Sequence, residues 1–313
     1  MSRLGIENIG VYIPPGRESN EPRRAQFAIT EAFLEQKIGV RETSRKAPQE
    51  ETSDLCLRAW EALNQKAAVD AARIECVVVV TQNPDGLLPH VSAVLHGELG
   101  LREDCACFDL SLGCSGFVQG LSIALAFMEA QGLSAGLLFT ADPYSKIVDP
   151  NDKNTSLLFG DAATVTLLGT NPVFSAGPFT FGSIGAESGE LACARGGRLA
   201  MNGHAIFNFA AKSVPLDLER LLKKAGIARE EVDRFLLHQG SKYIVDTIAK
   251  RAMLDPAKTP FDIAGYGNTV SSSIPILLEK EFAPDGGRLL VLSGFGVGLA
   301  YASAVLRRLP INP

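Results

Sequence analysis

Residues 108–117 read FDLSLGCSGF and lead from a short apolar segment into a long apolar run that ends at Gln131. The stretch predicts a strand, a sharp turn of small residues and a helix that begins at Cys114. The N-terminus of a helix presents free N–H groups and a partial positive charge. Both stabilise a thiolate and lower the pKa of the thiol, so we predict that Cys114 is a nucleophile. The alternative is a small buried cysteine without a chemical role.

Short apolar runs alternate with helical patterns on both sides of this turn. Strands are predicted at residues 77–80, 137–140, 163–168, 235–237 and 289–292. Helices are predicted at residues 53–68, 91–99, 114–131, 210–225, 243–252 and 274–282. Continuous apolar strands are typical of sheets that are covered on both faces. The alternation therefore predicts an α/β protein.

The pattern of residues 71–79 recurs about half a chain later at residues 229–237, where a helix end again leads into a buried strand. A looser likeness relates residues 108–116 to residues 289–298, since each segment runs from a strand into a turn of glycine and serine. Both indicate a duplicated α/β half. We therefore divide the chain into residues 1–169, which carry the nucleophile, and residues 170–313.

Composition excludes several classes of protein. The 313 residues are 46% hydrophobic and 21% charged, which is typical of a globular chain and not of a disordered one. A net charge of −5 offers no basic surface for nucleic acid. The six cysteines lack the spacing of a zinc site, which predicts no metal. With no apolar signal segment at the start and no run suited to a membrane span, we expect a cytoplasmic protein without a membrane partner.

Three further segments carry candidate site residues. His238 ends a predicted buried strand, where α/β proteins place site residues, although a histidine there also serves as a simple core cap. Asn268 lies in a turn of small polar residues and is either a turn residue or a donor to an oxygen that develops negative charge. The turn Gly294–Gly298 exposes backbone N–H groups, which is weak support for an anion site when taken alone.

Together these segments resemble the β-ketoacyl-[acyl carrier protein] synthase III branch of the thiolase-like condensing enzymes. The likeness covers nearly the whole chain in order. It rests on the motifs Ile38–Glu42, Leu112–Phe117, Leu158–Ala163, Met201–Phe207, His238–Gln239, Tyr266–Thr269 and Gly294–Gly298. The family's order of Cys, His and Asn is matched by Cys114, His238 and Asn268.

The resemblance implies a thiolase-like five-layered αβαβα fold built from two duplicated halves, and a homodimer. It implies that Cys114 takes an acyl group from an acyl-CoA, and that a malonyl thioester, carried by an acyl carrier protein, then loses CO₂ and condenses with it. His238 and Asn268 would bind the malonyl thioester oxygen. Backbone N–H groups of Cys114 and of the Gly296–Val297 turn would bind the oxyanion. The coenzyme A thioesters are substrates, and no cofactor is implied.

Residue by residue, the resemblance also implies substrate contacts. The residues matched to binding of coenzyme A are Phe33, Lys37, Lys153, Gly203, Phe207 and Ser241. Leu88 stands where the family has a bulky residue that reaches into the acyl pocket of the partner. Phe33 and Lys153 replace the family's Trp and Arg, and Tyr243 stands where an Arg meets the carrier protein, which puts carrier recognition in doubt.

Two alternatives to fatty-acid initiation stay open on the sequence. One is a specialised relative that serves secondary-metabolite or surface-glycan acyl groups, or that transfers an acyl group to a hydroxyl or amine without decarboxylation. The other is a non-catalytic subunit of a hetero-oligomer. The complete set Cys114, His238 and Asn268 favours condensation over both.

Overall fold

The structure is a computed structural model that describes residues 4–310. Its strands are β1 (Gly5–Tyr12), β2 (Gly16–Ser19), β3 (Glu42–Arg45), β4 (Cys76–Val80), β5 (Ala106–Leu110), β6 (Ala135–Ala141), β7 (Ala163–Gly169), β8 (Phe174–Ser183), β9 (Leu191–Ala192), β10 (Ala200–Met201), β11 (Arg234–Leu237), β12 (Leu289–Gly296) and β13 (Ala300–Arg308). Its α-helices are α1 (Arg23–Gln26), α2 (Thr52–Ala67), α3 (Val91–Glu98), α4 (Gly116–Gln131), α5 (Lys153–Ser156), α6 (Gly203–Ala225), α7 (Lys242–Arg251) and α8 (Ser273–Lys280).

The main sheet repeats one strand order in its two halves. Its full order is β11-β12-β13-β8-β1-β7-β6-β4-β5. In the first half β4 and β6 are parallel, and β6, β7 and β1 follow as antiparallel neighbours. In the second half β11 and β12 are parallel, and β12, β13 and β8 are antiparallel. The halves meet through the pair Ile6 and Phe174. This repetition confirms the predicted duplication.

Five layers result from the way the helices cover the two halves of the sheet. Helices α2 and α3 lie on the outer face of the first half, and α6 and α7 lie on the outer face of the second. Helices α4 and α8 lie between them, where α4 contacts β4 and β6 on one side and β12 and β13 on the other. The predicted αβαβα architecture is confirmed. Strand β4 shows why its sequence is continuously apolar, since Val78 and Val80 face the middle layer and Val77 and Val79 the outer one.

Some sequence expectations differ from the structure. The helix expected at Cys114 begins at Gly116, because Ser115 already occupies the capping position. The helix expected at residue 210 begins at Gly203, because the Asn202 side chain caps it by accepting a hydrogen bond from the Ala205 N–H. The likeness of residues 108–116 to residues 289–298 is wrong as a repeat, because β12 occupies the place of β6 and not of β5. The division at residues 169 and 170 falls between β7 and β8 and stays a prediction.

Across residues 4–310, every helix is either too short or too polar to cross a lipid bilayer.

Candidate active site

Cys114, His238 and Asn268 line one cavity of about 610 Å³. Cys114 lies between β5 and α4, His238 directly follows β11, and Asn268 lies in the loop before α8. Their exposed fractions are only 4%, 2% and 3%. The fold thus brings Cys114 into one buried group with His238 and Asn268, which lie more than a hundred positions later in the sequence.

The sulfur of Cys114 sits against the Gly296–Val297 turn. The backbone N–H groups of Val297 and of Cys114 itself donate to it. Gly296 is required for this close approach, because a Cβ at that position would lie 2.7 Å from the sulfur. Both backbone donors predicted for the oxyanion therefore surround the thiol.

The predicted lowering of the Cys114 pKa is wrong. Burial raises the pKa of this thiol to about 12, and the two backbone N–H groups oppose the rise without overcoming it. The helix begins only at Gly116, so its N-terminal charge lies farther from the sulfur than the sequence suggests. The free protein therefore holds Cys114 as a thiol, and the proton leaves only when a reaction partner takes it.

His238 is neutral at physiological pH. Burial lowers its pKa to about 3, and a backbone hydrogen bond with Val270 opposes the shift. Its Nδ1 lies 2.7 Å from the Ser273 Oγ, and the ring of Phe295 meets its ring edge to face at 5.4 Å. A neutral imidazole has one N–H. When the Ser273 hydroxyl donates to Nδ1, that N–H is on Nε2, where it serves as a donor.

The carboxamide of Asn268 is oriented by its own backbone turn. Its Oδ1 accepts the Val270 N–H at 2.9 Å, which leaves the NH₂ group as the part available to a ligand in the cavity. The backbone of Asn268 is fixed by Leu158 and Gly160, with hydrogen bonds of 2.8 Å and 3.0 Å. The motif Leu158–Ala163 thus holds the backbone of Asn268 in place. Val270 has a φ of 53°, a strained conformation that costs about 1–3 kcal/mol and persists only where its surroundings fix it.

The mouth of the cavity contains some of the residues matched to binding of coenzyme A. Those that line the cavity are Lys37, Gly203, Phe207 and Ser241. Phe33 and Lys153 lie outside this lining and are paired with each other, with the Lys153 Nζ 5.8 Å from the ring centre. Leu88 lies on the surface with an exposed fraction of 89% and lines neither this cavity nor the second one described below.

Tyr243 has a defined place at this mouth. Its ring stacks on the Phe207 ring, with 5.0 Å between the ring centres. The Lys37 Nζ lies 3.3 Å from the centre of the Tyr243 ring. The three side chains form one cluster in the wall of the cavity, which holds the Lys37 ammonium there. The charge that an Arg would supply at position 243 is therefore absent, and Lys37 carries the positive charge there.

The sequence interpretation missed several polar residues behind the site. Asp142 is fully buried directly after β6, and Tyr144 donates a hydrogen bond of 3.1 Å to the Gln82 Oε1. Ser273 contacts His238. Asp142 carried the same signal that singled out His238, a polar residue at the end of a buried strand. The partners of Ser273 and Gln82 are distant in sequence, so no local pattern indicates them.

The five layers and the buried set of Cys, His and Asn define a thiolase-like protein with the equipment of a condensing enzyme. Family models for 3-oxoacyl-[acyl-carrier-protein] synthase III match residues 108–185, and for its C-terminal part residues 222–308. The chain belongs to the β-ketoacyl-[acyl-carrier-protein] synthase III family.

Relatives and solved structures agree with this membership. The β-ketoacyl-[acyl-carrier-protein] synthase III of Lactococcus lactis subsp. cremoris is 31% identical, over 98% of this chain and 99% of its own length. The enzyme of that name from Streptococcus mutans is 32% identical, over 98% and 100%. The crystal structure of 3-oxoacyl-(acyl carrier protein) synthase III from Pseudomonas aeruginosa has a TM-score of 0.89 at 30% identity and covers 99% of this chain and 100% of that one.

Proposed function

We propose that this protein is an acyltransferase that condenses the acyl group of an acyl-CoA with a malonyl group on acyl carrier protein, with loss of CO₂. The observation that carries the proposal is the single buried cavity in which a thiol, a neutral imidazole and a free carboxamide meet. The thiol accepts an acyl group, and the two neutral donors suit an oxygen that becomes an enolate.

In the loading step the Cys114 sulfur attacks the carbonyl carbon of the acyl-CoA thioester. The carbonyl oxygen becomes an oxyanion within reach of the N–H groups of Cys114 and Val297, which already point at the sulfur. The bond between the carbonyl carbon and the coenzyme A sulfur then breaks. The proton from Cys114 ends on the coenzyme A thiol, so the raised pKa of Cys114 creates no net charge in the buried cavity.

In the condensation step the malonyl thioester oxygen accepts hydrogen bonds from the His238 Nε2–H and the Asn268 NH₂. The bond to the carboxylate carbon breaks, CO₂ leaves, and the electron pair forms an enolate. Its α-carbon attacks the acyl carbonyl carbon, the bond to the Cys114 sulfur breaks, and the departing thiolate takes up one proton from solvent to restore the thiol. Phe295 and Phe159, both buried, make this part of the cavity apolar, which disfavours the carboxylate relative to CO₂. Simple acyl transfer would have no use for both donors.

The remaining expectations from the resemblance belong to the same proposal. We propose that the protein is a homodimer in the cytoplasm and that it needs no cofactor beyond its coenzyme A substrates. The exposed Leu87 and Leu88 support a partner surface, since contiguous exposed apolar residues are typical of interaction sites. Lys37 and Lys153 are proposed to bind the phosphates of coenzyme A. Binding of nucleic acid or membrane is not part of the proposal.

The direct test is to incubate the protein with an acyl-CoA and malonyl-carrier protein and to weigh the carrier by mass spectrometry. The proposal predicts a β-ketoacyl carrier that contains the acyl group and has lost one CO₂. Acyl transfer to a hydroxyl or amine acceptor, with the malonyl group intact, would contradict it.

Gly296→Ala is expected to slow loading about 100-fold. The new Cβ would lie 2.7 Å from the Cys114 sulfur, so either the sulfur or the turn must move. After this shift the Val297 N–H no longer points at the oxyanion. Loss of one such donor costs about 10²–10³ in rate. Release of coenzyme A in a single turnover measures the effect.

The matched control is Gly97→Ala in α3, where a new Cβ meets nothing within 4 Å. Loading by this variant should equal that of the wild type. Equal loading by both variants would contradict the oxyanion assignment of the turn.

A second cavity, of about 730 Å³, adjoins the first, since Leu191 lines both and Val297, which directly follows Gly296 of the first, lines the second. Because the two cavities adjoin at the turn that contacts the Cys114 sulfur, we propose that the second receives the distal part of the acyl group. The buried Tyr144 side chain forms part of its wall.

Tyr144→Leu is therefore expected to shift the preference from acetyl-CoA toward hexanoyl-CoA. The ratio of kcat/KM values for the two substrates should change about tenfold or more, the order that a few methylenes are worth in an apolar pocket. Tyr144→Phe keeps the ring, loses only the hydrogen bond to Gln82, and should leave the ratio near that of the wild type. An unchanged ratio in Tyr144→Leu would contradict the placement of the acyl group.

A further inference from the structure

Asp142 is a fully buried carboxylate with neutral partners. Its Oδ1 accepts the Gln82 N–H at 2.7 Å, and its Oδ2 accepts the Ser271 hydroxyl at 2.6 Å. The backbone of Ser271 adds a further hydrogen bond. Burial of a carboxylate without a cation is costly, so the fold retains it at the expense of stability. The two residues it holds lie on the two loops that border the active site.

Ser271 is the first of three consecutive serines, Ser271–Ser273, that follow Asn268 and lead into α8. The first donates to Asp142. The second contacts Thr140, at 2.8 Å to its hydroxyl and 3.0 Å to its carbonyl oxygen. The third contacts the His238 Nδ1 at 2.7 Å. This run therefore fastens the loop of Asn268 to the end of β6 and, at its other end, to the imidazole.

The loop that is fastened in this way is strained. Val270, a β-branched residue, has a φ of 53°, where such side chains are rarely found. Its N–H orients the Asn268 carboxamide, and the next residue is Ser271. The residue that contacts Asp142 is therefore the immediate neighbour of the strained Val270. Without that contact Val270 can relax to a negative φ, and its N–H then no longer points at the Asn268 Oδ1.

The same carboxylate does not help the nucleophile. The negative charge of Asp142 raises the pKa of Cys114, which opposes formation of the thiolate. The donors to the sulfur are the N–H of Val297, directly after β12, and the N–H of Cys114 itself, between β5 and α4. The contacts of Asp142 thus serve the side of the cavity that holds Asn268 and His238.

We propose that Asp142 and Ser271 are positioning residues for the condensation step, and that loading of Cys114 does not require their contact. The inference rests on the proposed function, in which loading and condensation use different donors of one cavity. It assigns Asp142 and Ser271 to condensation and not to loading, so it can be tested by measuring the two half-reactions separately.

The test measures both half-reactions of Ser271→Ala in single turnovers. Loading is followed by release of coenzyme A, and condensation is followed by decay of a preformed acyl-enzyme after addition of malonyl-carrier protein. We expect loading within about threefold of the wild type and condensation slowed about 10–100-fold, the order for loss of aim of one enolate donor. The matched control is Ser92→Ala, a buried serine whose hydroxyl has no hydrogen-bond partner within the described chain, and neither step should change.

Asp142→Asn tests the other partner at nearly constant volume. Its amide keeps one acceptor oxygen for the two backbone N–H groups that the carboxylate binds, those of Gln82 and Ser271, and therefore loses one of these hydrogen bonds. Condensation should slow to a similar extent, and the double variant should be no slower than the slower single one, because both changes break the same contact. Thermal unfolding of each variant shows that the protein used in the assay is folded.

The pH profile of condensation from the preformed acyl-enzyme gives an independent readout. Burial raises the pKa of Asp142 to about 6, so the carboxylate takes up one proton as the pH falls through that value, one of its two oxygens no longer accepts its hydrogen bond, and the wild-type rate falls. This acidic limb should be missing in Asp142→Asn. The titratable groups around it do not mimic it. Cys114 is acylated, burial holds the pKa of His238 at about 3, and burial raises the pKa values of Tyr144 and Cys56 well above their ordinary range.

Equal slowing of loading and condensation in Ser271→Ala would overturn the inference, because it would indicate a general structural role. Wild-type rates in both steps would overturn it as well. A wild-type protein that does not load any acyl-CoA would contradict the proposed function itself, and the positioning role would fall with it. A variant that loads normally and condenses slowly supports both.

Discussion

Cys114→Ala is expected to remove acyl loading and to lower turnover by at least about 10⁴-fold, the order found when a covalent nucleophile is deleted. The thiol is the group in the cavity that the two backbone N–H donors surround. Intact-mass measurement after incubation with an acyl-CoA should show one added acyl group in the wild type and none in the variant.

The matched control is Cys107→Ala, which removes a partly buried cysteine on β5. It should load as the wild type does, since Cys107 lines neither of the two cavities. Loading that persists in Cys114→Ala and disappears in Cys107→Ala would contradict the assignment of the nucleophile.

Asn268→Asp is expected to slow condensation by about 10³-fold and to leave loading within about tenfold of the wild type. The aspartate keeps the oxygen that accepts the Val270 N–H, so the turn retains its hydrogen bond. It replaces the NH₂ donor by an oxygen that carries negative charge beside the forming enolate. Loss of one aimed donor costs about 10²–10³ in rate, and like-charge repulsion adds to it.

Asn64→Asp is a close match for this change. The Asn64 Oδ1 also accepts a backbone N–H at 2.9 Å, from Val69, at the end of α2 and remote from the cavity. Neither half-reaction should change in it. Separate single-turnover assays of loading and condensation distinguish the variants, and a loading defect in Asn268→Asp as large as the condensation defect would contradict the division of roles.

Much of the fold follows from local sequence pattern. The four valines of β4 are buried on both faces, and residues 229–237 repeat residues 71–79 at equivalent places in the second half of the sheet. The start of α6 at Gly203 was not predictable in the same way, because a glycine and a capping asparagine resemble a turn until the helix is seen to continue. The pairing of β12 with β11 depends on tertiary contacts that no local run encodes.

The candidate site likewise has features that local sequence predicts and features that it does not. Cys114, His238 and Asn268 each lie where a strand ends or a turn begins, and that placement made them candidates. The pKa of Cys114 depends instead on burial, which raises it, and the hydrogen bond from Val297, at the far end of the chain, only partly opposes this rise. Local reasoning from the helix N-terminus therefore gave the wrong direction of the shift.

The mouth of the cavity also contains a contact that the sequence alone does not predict. Tyr243 stands at the position of an Arg, and from sequence alone this replacement reads as a loss. The structure shows what the tyrosine does, since its ring stacks on Phe207 and also contacts the Lys37 ammonium. A contact between residues on three separate elements has no signature in any one of them.

The most direct test of decarboxylative condensation uses the isolated acyl-enzyme and malonyl-carrier protein labelled with ¹³C at the free carboxylate. CO₂ release, loss of the acyl group from Cys114 and appearance of the β-ketoacyl carrier are followed in one turnover. Decarboxylative condensation predicts that all three share one rate and that one labelled CO₂ is released for each acyl group lost. Loss of the acyl group without labelled CO₂, or with the label retained in the product, would contradict it.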